Sequence, residues 1–259
     1  MDLGISGRRA IVCASSQGLG FACAEALVKE GVEVVINGRD ADKLARAVEK
    51  LRTSATANVS GVAADVNIAA GRAALLAVCP DPDILVNNNA GPPPGEFQGH
   101  DESIWMQALE ANMVAPLMLV RSVLPKMRER RFGRIINITS AMVTTPRPHM
   151  TLSAGARAGL TAALKGLSLE VARDNVTINN ILPERFDTDR QHKMAQATMK
   201  RLGITYEEAR KQQIESIAAR RLGDPAEFGA ICAFLCSKFA GFVSGQNIHA
   251  DGGSYPALV

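Results

Sequence analysis

Aromatic residues are scarce in this 259-residue chain, at 4%, and only Tyr206 and Tyr255 are tyrosines. The five cysteines are an odd set without zinc-like spacing, which predicts neither a disulfide framework nor a metal site. Buried, reduced thiols are typical of a reducing compartment and favour a cytoplasmic location. A chain of this length with 47% hydrophobic residues forms a sizeable core without such cross-links.

Neither sign of charge dominates, since 29 Lys and Arg against 26 Asp and Glu leave a net charge of +3. DNA-binding domains usually carry a clustered basic stripe, so no nucleic-acid partner is expected. No apolar run reaches the roughly 18 residues of a membrane span, so no membrane partner is expected. The opening Met1-Asp2-Leu3-Gly4 lacks the features of a signal peptide.

Apolar, β-branched runs alternate with segments of helical periodicity along the chain. This pattern predicts an α/β fold: a single Rossmann-type, doubly wound parallel sheet of about seven strands with helices on both faces, in one domain spanning residues 1–259. The predicted strands are Ala10–Ala14, Val32–Asn37, Val59–Ala63, Ile84–Asn87, Arg134–Thr139, Val176–Leu182 and Gln246–Ala250, and the predicted helices are Gly20–Glu30, Ala41–Leu51, Ser103–Arg130, Leu152–Arg173 and Pro225–Cys236.

The polar segment Glu184–Arg221 interrupts this alternation, with helical stretches near Asp189–Leu202 and Tyr206–Ala219. A long excursion after the carboxyl end of a strand is typical of a substrate lid, although a surface insertion would look the same. Nine basic minus six acidic residues give this lid a charge of +3. An anionic substrate, such as a carboxylate or a phosphopantetheine thioester, would fit; a solvated helical face is the alternative.

A turn of small residues joins the first predicted strand to the next helix and indicates a dinucleotide site. Small residues let the backbone approach a pyrophosphate, and the amides at the helix N-terminus donate to it. The motif is not a complete G-x-G-x-x-G, because Ala14 stands where a first glycine is common. The predicted cofactor contacts in this turn are Ala14, Ser16, Gln17, Gly18, Leu19 and Gly20.

The tip of the second strand indicates which dinucleotide binds. Gly38 stands there in place of the acid that would accept bonds from the ribose hydroxyls of NAD, and Arg39 follows. Because a guanidinium suits a 2′-phosphate, the sequence predicts NADP(H) in preference to NAD(H). Arg39 could also be a solvated turn residue, with Asp40 capping the next helix, and the two interpretations are compatible.

Four further segments resemble the short-chain dehydrogenase/reductase superfamily, closest in character to 3-oxoacyl-carrier-protein reductases. They are Asp83–Gly91 (DILVNNNAG), Gly133–Ser140 (GRIINITS), Asn179–Pro183 (NNILP) continuing to Thr188, and Ser244–Gly253 (SGQNIHADGG). The resemblance implies cofactor contacts from Asp65, Val66, Asn88, Ala90, Gly91, Pro183 and Thr188. It also implies that Ser140 binds the substrate oxygen and that Asn112 anchors a structural water in a proton relay.

The catalytic Tyr-x-x-x-Lys of that family is absent. The register set by Ser140 and Ala158-Gly159-Leu160 places Ser153 at the tyrosine position and Arg157 at the lysine position. Arg157 keeps the charge that binds the nicotinamide ribose, but an arginine does not deprotonate and cannot relay protons. Serine is a weaker acid than a phenol and has a much shorter reach, so the role of Ser153 in catalysis is doubtful.

A substitute proton donor could be His149, in the loop that overhangs the nicotinamide end, or Glu184, which replaces the glycine after Pro183. His149 could equally be a solvated loop residue, and Glu184 could be the salt partner of Arg185 or Arg157. The sequence predicts an NADP-dependent oxidoreductase acting on a carbonyl or secondary alcohol. The alternatives are a cofactor-binding sensor or silent subunit, and a non-redox enzyme that reuses the pocket.

The two longest predicted helices indicate assembly. The family commonly forms tetramers by pairing these helices, here Ser103–Arg130 and Leu152–Arg173. The second is rich in small residues, among them Ala158, Gly159 and Ala162, which permit close helix approach. A homotetramer is expected, with a dimer as the alternative.

Overall fold

The structure is a computed structural model, and it describes residues 2–258. Its strands are β1 (Arg9–Val12), β2 (Glu33–Gly38), β3 (Val59–Ala63), β4 (Ile84–Asn87), β5 (Gly133–Ile138), β6 (Val176–Pro183) and β7 (Asn247–Ala250). They form one parallel sheet in the order β3-β2-β1-β4-β5-β6-β7. The predicted parallel, doubly wound sheet is confirmed.

The helices are α1 (Gly18–Lys29), α2 (Ala41–Arg52), α3 (Ala69–Val78), α4 (Glu102–Leu109), α5 (Ala115–Glu129), α6 (Thr151–Val171), α7 (Asp189–Leu202), α8 (Tyr206–Glu215) and α9 (Pro225–Cys236). Helix α3 was not predicted, because it buries only Gly71 and Leu75 and has little apolar periodicity. The predicted helix Ser103–Arg130 is interrupted by a π-helical turn at Glu110–Val114. Helix α8 ends at Glu215, four residues before the predicted limit at Ala219.

The sheet is buried on both faces, which explains why its strands have continuous apolar runs. On β1, Ala10 and Val12 face a core completed by α1, α2 and α9. Ile11, between them, faces a second core that includes residues of α3, α5 and α6. The cysteines lie in these cores as buried free thiols, as the sequence indicated.

One helical stretch, Glu102–Glu129, is long and apolar enough to cross a membrane by length and composition alone, and 33% of its most apolar window is buried. The sequence interpretation found no such run, because Asn112 and Arg121 interrupt it. A core helix of a soluble protein passes the same test, and α5 places Leu119 and Val123 in the second core. A single helix of this kind is weak evidence for a membrane.

The order of the sheet reverses between β1 and β4, whose carboxyl ends flank a crevice. Ligands of open α/β sheets bind at such a switch point. Beyond it, four in-register asparagines link the strands through their side chains. Asn87 donates to Asn137 (2.9 Å), Asn137 to Asn180 (3.0 Å) and Asn180 to Asn247 (2.8 Å). This asparagine ladder ties β4–β7 together just below the crevice.

Candidate active site

The turn between β1 and α1 is shaped by its backbone. Ala14 has a φ of 45° and Gly18 a φ of 63°, both in the left-handed region. A Cβ on Gly20 would lie 2.7 Å from the Ala14 carbonyl oxygen and 2.7 Å from Asn88 Nδ2. Gln17, the N-cap residue of α1, makes no side-chain cap. The first amides of α1 are therefore available to an anion, and the close-packed turn fits a diphosphate.

The carboxyl ends of β2 and β3 lie beside this turn. The Cβ position of Gly38 is 3.1 Å from Ser16 Oγ, and Arg39 follows as an exposed side chain. Asp40 accepts a hydrogen bond from Lys43 N at 3.0 Å, and this bond lowers the pKa of the Asp40 carboxyl. The predicted cap is confirmed, and Arg39 is exposed beside it.

The predicted adenine contacts follow β3. Asp65 Oδ1 accepts a hydrogen bond from Asn67 N at 3.0 Å, and Val66 is buried. Asn89 Nδ2 donates to Asn67 Oδ1 at 2.6 Å and to the Ala111 carbonyl at 2.9 Å. These bonds connect the loop after β3 with the loop after β4 and with the π-helical turn.

The remaining predicted cofactor residues lie on the loops after β4 and β6. Asn88 donates to the Ala14 carbonyl at 3.0 Å, while Ala90 is exposed and Gly91 is partly buried. Pro183 ends β6, and Thr188 is the N-cap residue of α7. The turn after β1 and the loops after β2, β3, β4 and β6 therefore meet at one edge of the sheet.

The pair at the family's Tyr and Lys positions lies on α6. Ser153 is 1% exposed, and Arg157 Nη1 donates to Ser153 Oγ at 3.3 Å. Arg157 Nη2 is 3.5 Å from the Asn89 carbonyl oxygen. Burial, with a smaller contribution from the charge of Arg190, lowers the pKa of Arg157 to about 10. Arg157 is therefore a cation at neutral pH.

The other predicted catalytic residues surround this pair. Asn112 is buried in the π-helical turn and shares with Arg157 the lining of a cavity of about 10 Å³. That volume is near the lower limit for one water molecule. Ser140, which follows β5, is partly buried and accepts a hydrogen bond from Met142 N at 3.2 Å.

The two candidate proton donors each face an oppositely charged or ionisable partner. Glu184, with 7% of its side chain exposed, lies 2.9 Å from Arg147 and 3.8 Å from Arg185. Arg147 was not anticipated as its partner. The 64% exposed His149 has its Nδ1 3.0 Å from Glu96 Oε1. Arg157 is not among the ion-pair partners of Glu184 within residues 2–258.

Sequence reasoning missed a cluster at the carboxyl end of β7. His249 Nε2 lies 3.4 Å from Thr144 Oγ1, and His249 Nδ1 lies 3.6 Å from Asp251 Oδ2. Tyr255 stacks on the imidazole with ring centroids 4.1 Å apart. The motif Ser244–Gly253 contained this histidine, but only the fold brings it to the loop after Ser140.

Arg190 was also missed as a site residue. Its Nη1 is 3.4 Å from the Gly91 carbonyl oxygen, so it spans from α7 to the loop after β4. The basic excess of the lid was the only signal for it in the sequence.

Comparison with known proteins shows similarity over nearly the whole chain. A family model described as Enoyl-(Acyl carrier protein) reductase matches residues 13–255. NADPH-dependent reductase BacG of Bacillus subtilis (strain 168) is 31% identical over 259 residues, covering 98% of this chain and 100% of the relative. The 3-oxoacyl-[acyl-carrier-protein] reductase FabG of Aquifex aeolicus (strain VF5) is 27% identical, with coverage of 98% and 100%. The crystal structure of L-sorbose reductase from Gluconobacter frateurii with NADPH and L-sorbose has a TM-score of 0.94 at 30% identity, covering 100% of both chains.

Proposed function

Because this chain belongs to the short-chain dehydrogenase/reductase superfamily, we propose that it is an NADPH-dependent oxidoreductase of a carbonyl or secondary alcohol. The observation that carries the proposal is the cradle around Gly20, where backbone and Asn88 leave no room for a side chain. Arg39, beyond the tip of β2, would pair with the 2′-phosphate. Relatives named as NADPH-dependent or NADPH-bound reductases support this cofactor.

The nicotinamide group, when bound, supplies or accepts a hydride at the reacting carbon. Ser140 would bind the substrate oxygen, and Thr188 would hold the nicotinamide amide. Arg157 would anchor the ribose from the lysine position. The proton donor differs from the family pattern, because the Ser153 hydroxyl is short, weakly acidic and held by Arg157. His149 and Glu184 remain the predicted candidates, and 3-oxoacyl thioesters or related ketones the predicted substrates.

Titration of the protein with NADPH, followed by nicotinamide fluorescence, tests the cofactor. A screen for NADPH oxidation over 3-oxoacyl thioesters, ketones and aldehydes then tests turnover. The expected result is that NADPH binds and is oxidised to NADP⁺ while a carbonyl substrate is reduced to the alcohol. Tight binding without oxidation would instead support a sensor or silent subunit, the alternative that the Ser153 and Arg157 pair favours. Absence of NADPH binding would contradict both.

The protein acts, in this proposal, as a cytoplasmic homotetramer, with a dimer as the alternative. Between α5 and α6 lies an apolar groove of about 360 Å³ that includes Leu117, Leu124, Leu164 and Leu167. The small residues Ala162 and Ala163 of α6 are exposed. A neighbouring copy that pairs these helices would cover the groove. Light scattering at micromolar concentration tests this, and a monomeric mass would refute it.

A further inference from the structure

The side chain of His249 joins two turns at the carboxyl edge of the sheet. Its Nε2 is 3.4 Å from Thr144 Oγ1, in the loop after β5, and its Nδ1 is 3.6 Å from Asp251 Oδ2, in the turn after β7. The side chains of His249 and Asp251 are 19% and 8% exposed, so both are largely shielded from water. These three side chains form what we call the Asp251–His249–Thr144 link.

On one side, the link holds the turn that follows Ser140. Ser140 Oγ accepts a hydrogen bond from Met142 N at 3.2 Å, and Thr144 Oγ1 donates to the Ala141 carbonyl at 3.2 Å. The only hydroxyl proton of Thr144 is therefore used within this turn. Because Thr144 Oγ1 can then only accept from His249, the imidazole carries a proton on Nε2.

On the other side, the link faces an acceptor. The Asp251 carboxylate accepts hydrogen bonds from Gly253 N at 2.9 Å and from Tyr255 N at 2.8 Å, and it has no proton to offer His249. Nδ1 of His249 is buried and has no hydrogen-bond partner. A neutral ring with its proton on Nε2 would turn the Nδ1 lone pair toward a carboxylate. A second proton, on Nδ1, turns this repulsion into an attraction.

The other groups around the imidazole also suit a cation. Tyr255 stacks on the ring with an interplanar angle of 16°, and the face of an aromatic ring attracts positive charge. Asp251 is the only carboxylate within 4.0 Å of His249 among residues 2–258. From β6, the residue in register with His249 is the apolar Leu182. The surroundings of both ring nitrogens therefore match an imidazolium.

The turn after β7 also holds the end of the lid. Ser254 Oγ accepts a hydrogen bond from Ala218 N at 3.1 Å, and the Gly252 carbonyl accepts one from Ala219 N at 2.9 Å. His249 thus lies between the segment that anchors the lid and the turn that presents Ser140.

We propose that His249 is a positioning residue: as an imidazolium it joins the turn after β7 to the turn after Ser140, and so fixes the hydroxyl that binds the substrate oxygen. The role of Ser140 rests on the proposed function, whereas the link does not. With one proton fewer, the ring either turns a lone pair toward Asp251 or takes the hydroxyl proton of Thr144 from the Ala141 carbonyl. Each change weakens the hold on the turn after Ser140.

Hydrogen exchange of the backbone amides of residues 142–145, measured by mass spectrometry on the full-length protein, tests the link. Exchange at about pH 5.5 and about pH 8.5, on either side of the ordinary histidine range, is compared with that of an unstructured peptide at the same pH. We expect protection of these amides to decrease by about fivefold at the higher pH. Protection of the amides of β5 should not change and is the internal reference.

Two variants show whether His249 causes this pH dependence. His249→Gln keeps an amide donor for Thr144 but cannot titrate, and Thr144→Val removes the hydroxyl at nearly constant volume. Both should abolish the pH dependence of protection. The matched control is His192→Gln, which removes a 45% exposed histidine of α7 and should retain it. Protection that is independent of pH in the unmutated protein, or that still changes in His249→Gln, would overturn the link.

Turnover then tests the positioning role. With a carbonyl substrate from the NADPH oxidation screen, His249→Gln should flatten the pH profile of kcat/KM, while the dissociation constant of NADPH stays within about twofold. An unchanged pH profile in His249→Gln would show that the link does not position Ser140, and the role assigned to His249 would be wrong. If no substrate is reduced, the proposed function fails separately, and hydrogen exchange still decides whether the link exists.

Discussion

The two sides of the crevice are built from different parts of the chain. On the side of β1–β3, the site consists of backbone held in tight turns, with Gly20 and Ala14 in close contact with Asn88. On the side of β5–β6 and α7, the site consists of long charged side chains, among them Arg157 and Arg190. A binding site formed by tightly packed backbone tolerates few amino-acid substitutions. A site formed by charged side chains can change its chemistry through a single substitution. The loss of the family's Tyr and Lys lies in the second kind, whereas the turn after β1 departs from the family motif only at Ala14.

The largest expected effect is on the backbone side. Gly20→Val would push a branched side chain against the Ala14 carbonyl and Asn88, where even a Cβ lies at 2.7 Å. We expect loss of NADPH binding and a decrease of about 3 kcal/mol in the free energy of unfolding. Fluorescence titration and denaturant unfolding measure the two. Gly99→Ala, where no atom lies within 4 Å of the added Cβ, is the control. An unchanged NADPH affinity in Gly20→Val would mean that the cofactor does not bind this turn.

The next effect separates NADPH from NADH. Arg39→Ala should weaken NADPH by about 1–3 kcal/mol, because a charge-assisted pair with the 2′-phosphate is lost, and should leave NADH unchanged. Arg46→Ala, at an exposed position of α2, is the matched control. Dissociation constants for both dinucleotides give the answer. Equal affinities for NADH and NADPH in the unmutated protein would contradict the predicted preference.

Among the charged side chains of the site, Arg157 should lower the free energy of unfolding even though it contributes to ligand binding. Its pKa is lowered to about 10 in the folded protein, below its ordinary value, so the unfolded chain holds the proton more tightly. The destabilising effect is therefore complete below about pH 10 and decreases as the pH rises above it. Arg157→Met should raise the free energy of unfolding by about 1–2 kcal/mol at neutral pH and weaken ligand binding. A lower melting temperature for Arg157→Met would contradict this prediction. It would show that interactions of the Arg157 guanidinium within the folded protein outweigh the cost of burying its charge.

The smallest effect is expected at Ser153. With any substrate that the NADPH oxidation screen identifies, Ser153→Ala should change kcat/KM by less than about tenfold, or roughly 1.4 kcal/mol. Arg157→Ala should reduce it more, because a positive charge and its hydrogen bonds disappear. Abolished turnover in Ser153→Ala, with NADPH affinity unchanged, would identify Ser153 as catalytic. If no substrate is found, the NADPH affinity of Arg157→Ala is measured instead of turnover. An NADPH affinity equal to that of the unmutated protein would then indicate that Arg157 binds a substrate anion rather than the cofactor.

The sequence predicted those structural features that are determined by residues close together in the chain. The strands could be predicted because they are continuous apolar runs, and Ser153 could be placed beside Arg157 because residues four apart share a helix face. The contacts of Arg147 with Glu184 and of Arg190 with Gly91 could not be predicted. They join different loops, the second across 99 positions, and depend on how those loops fold over the sheet. The π-helical turn around Asn112 has no apolar period of its own to indicate it.

The side-chain dipoles of the asparagine ladder point in one direction across the sheet. Each side-chain amide donates toward β7, so the four amide dipoles align head to tail and polarise one another. The negative end of this array is Asn87 Oδ1, a buried oxygen without a hydrogen-bond partner. Asn87 lines the same small cavity as Arg157. The ladder therefore places a partial negative charge in the lining of the cavity that Arg157 also lines, which favours a cation at this position of the sheet.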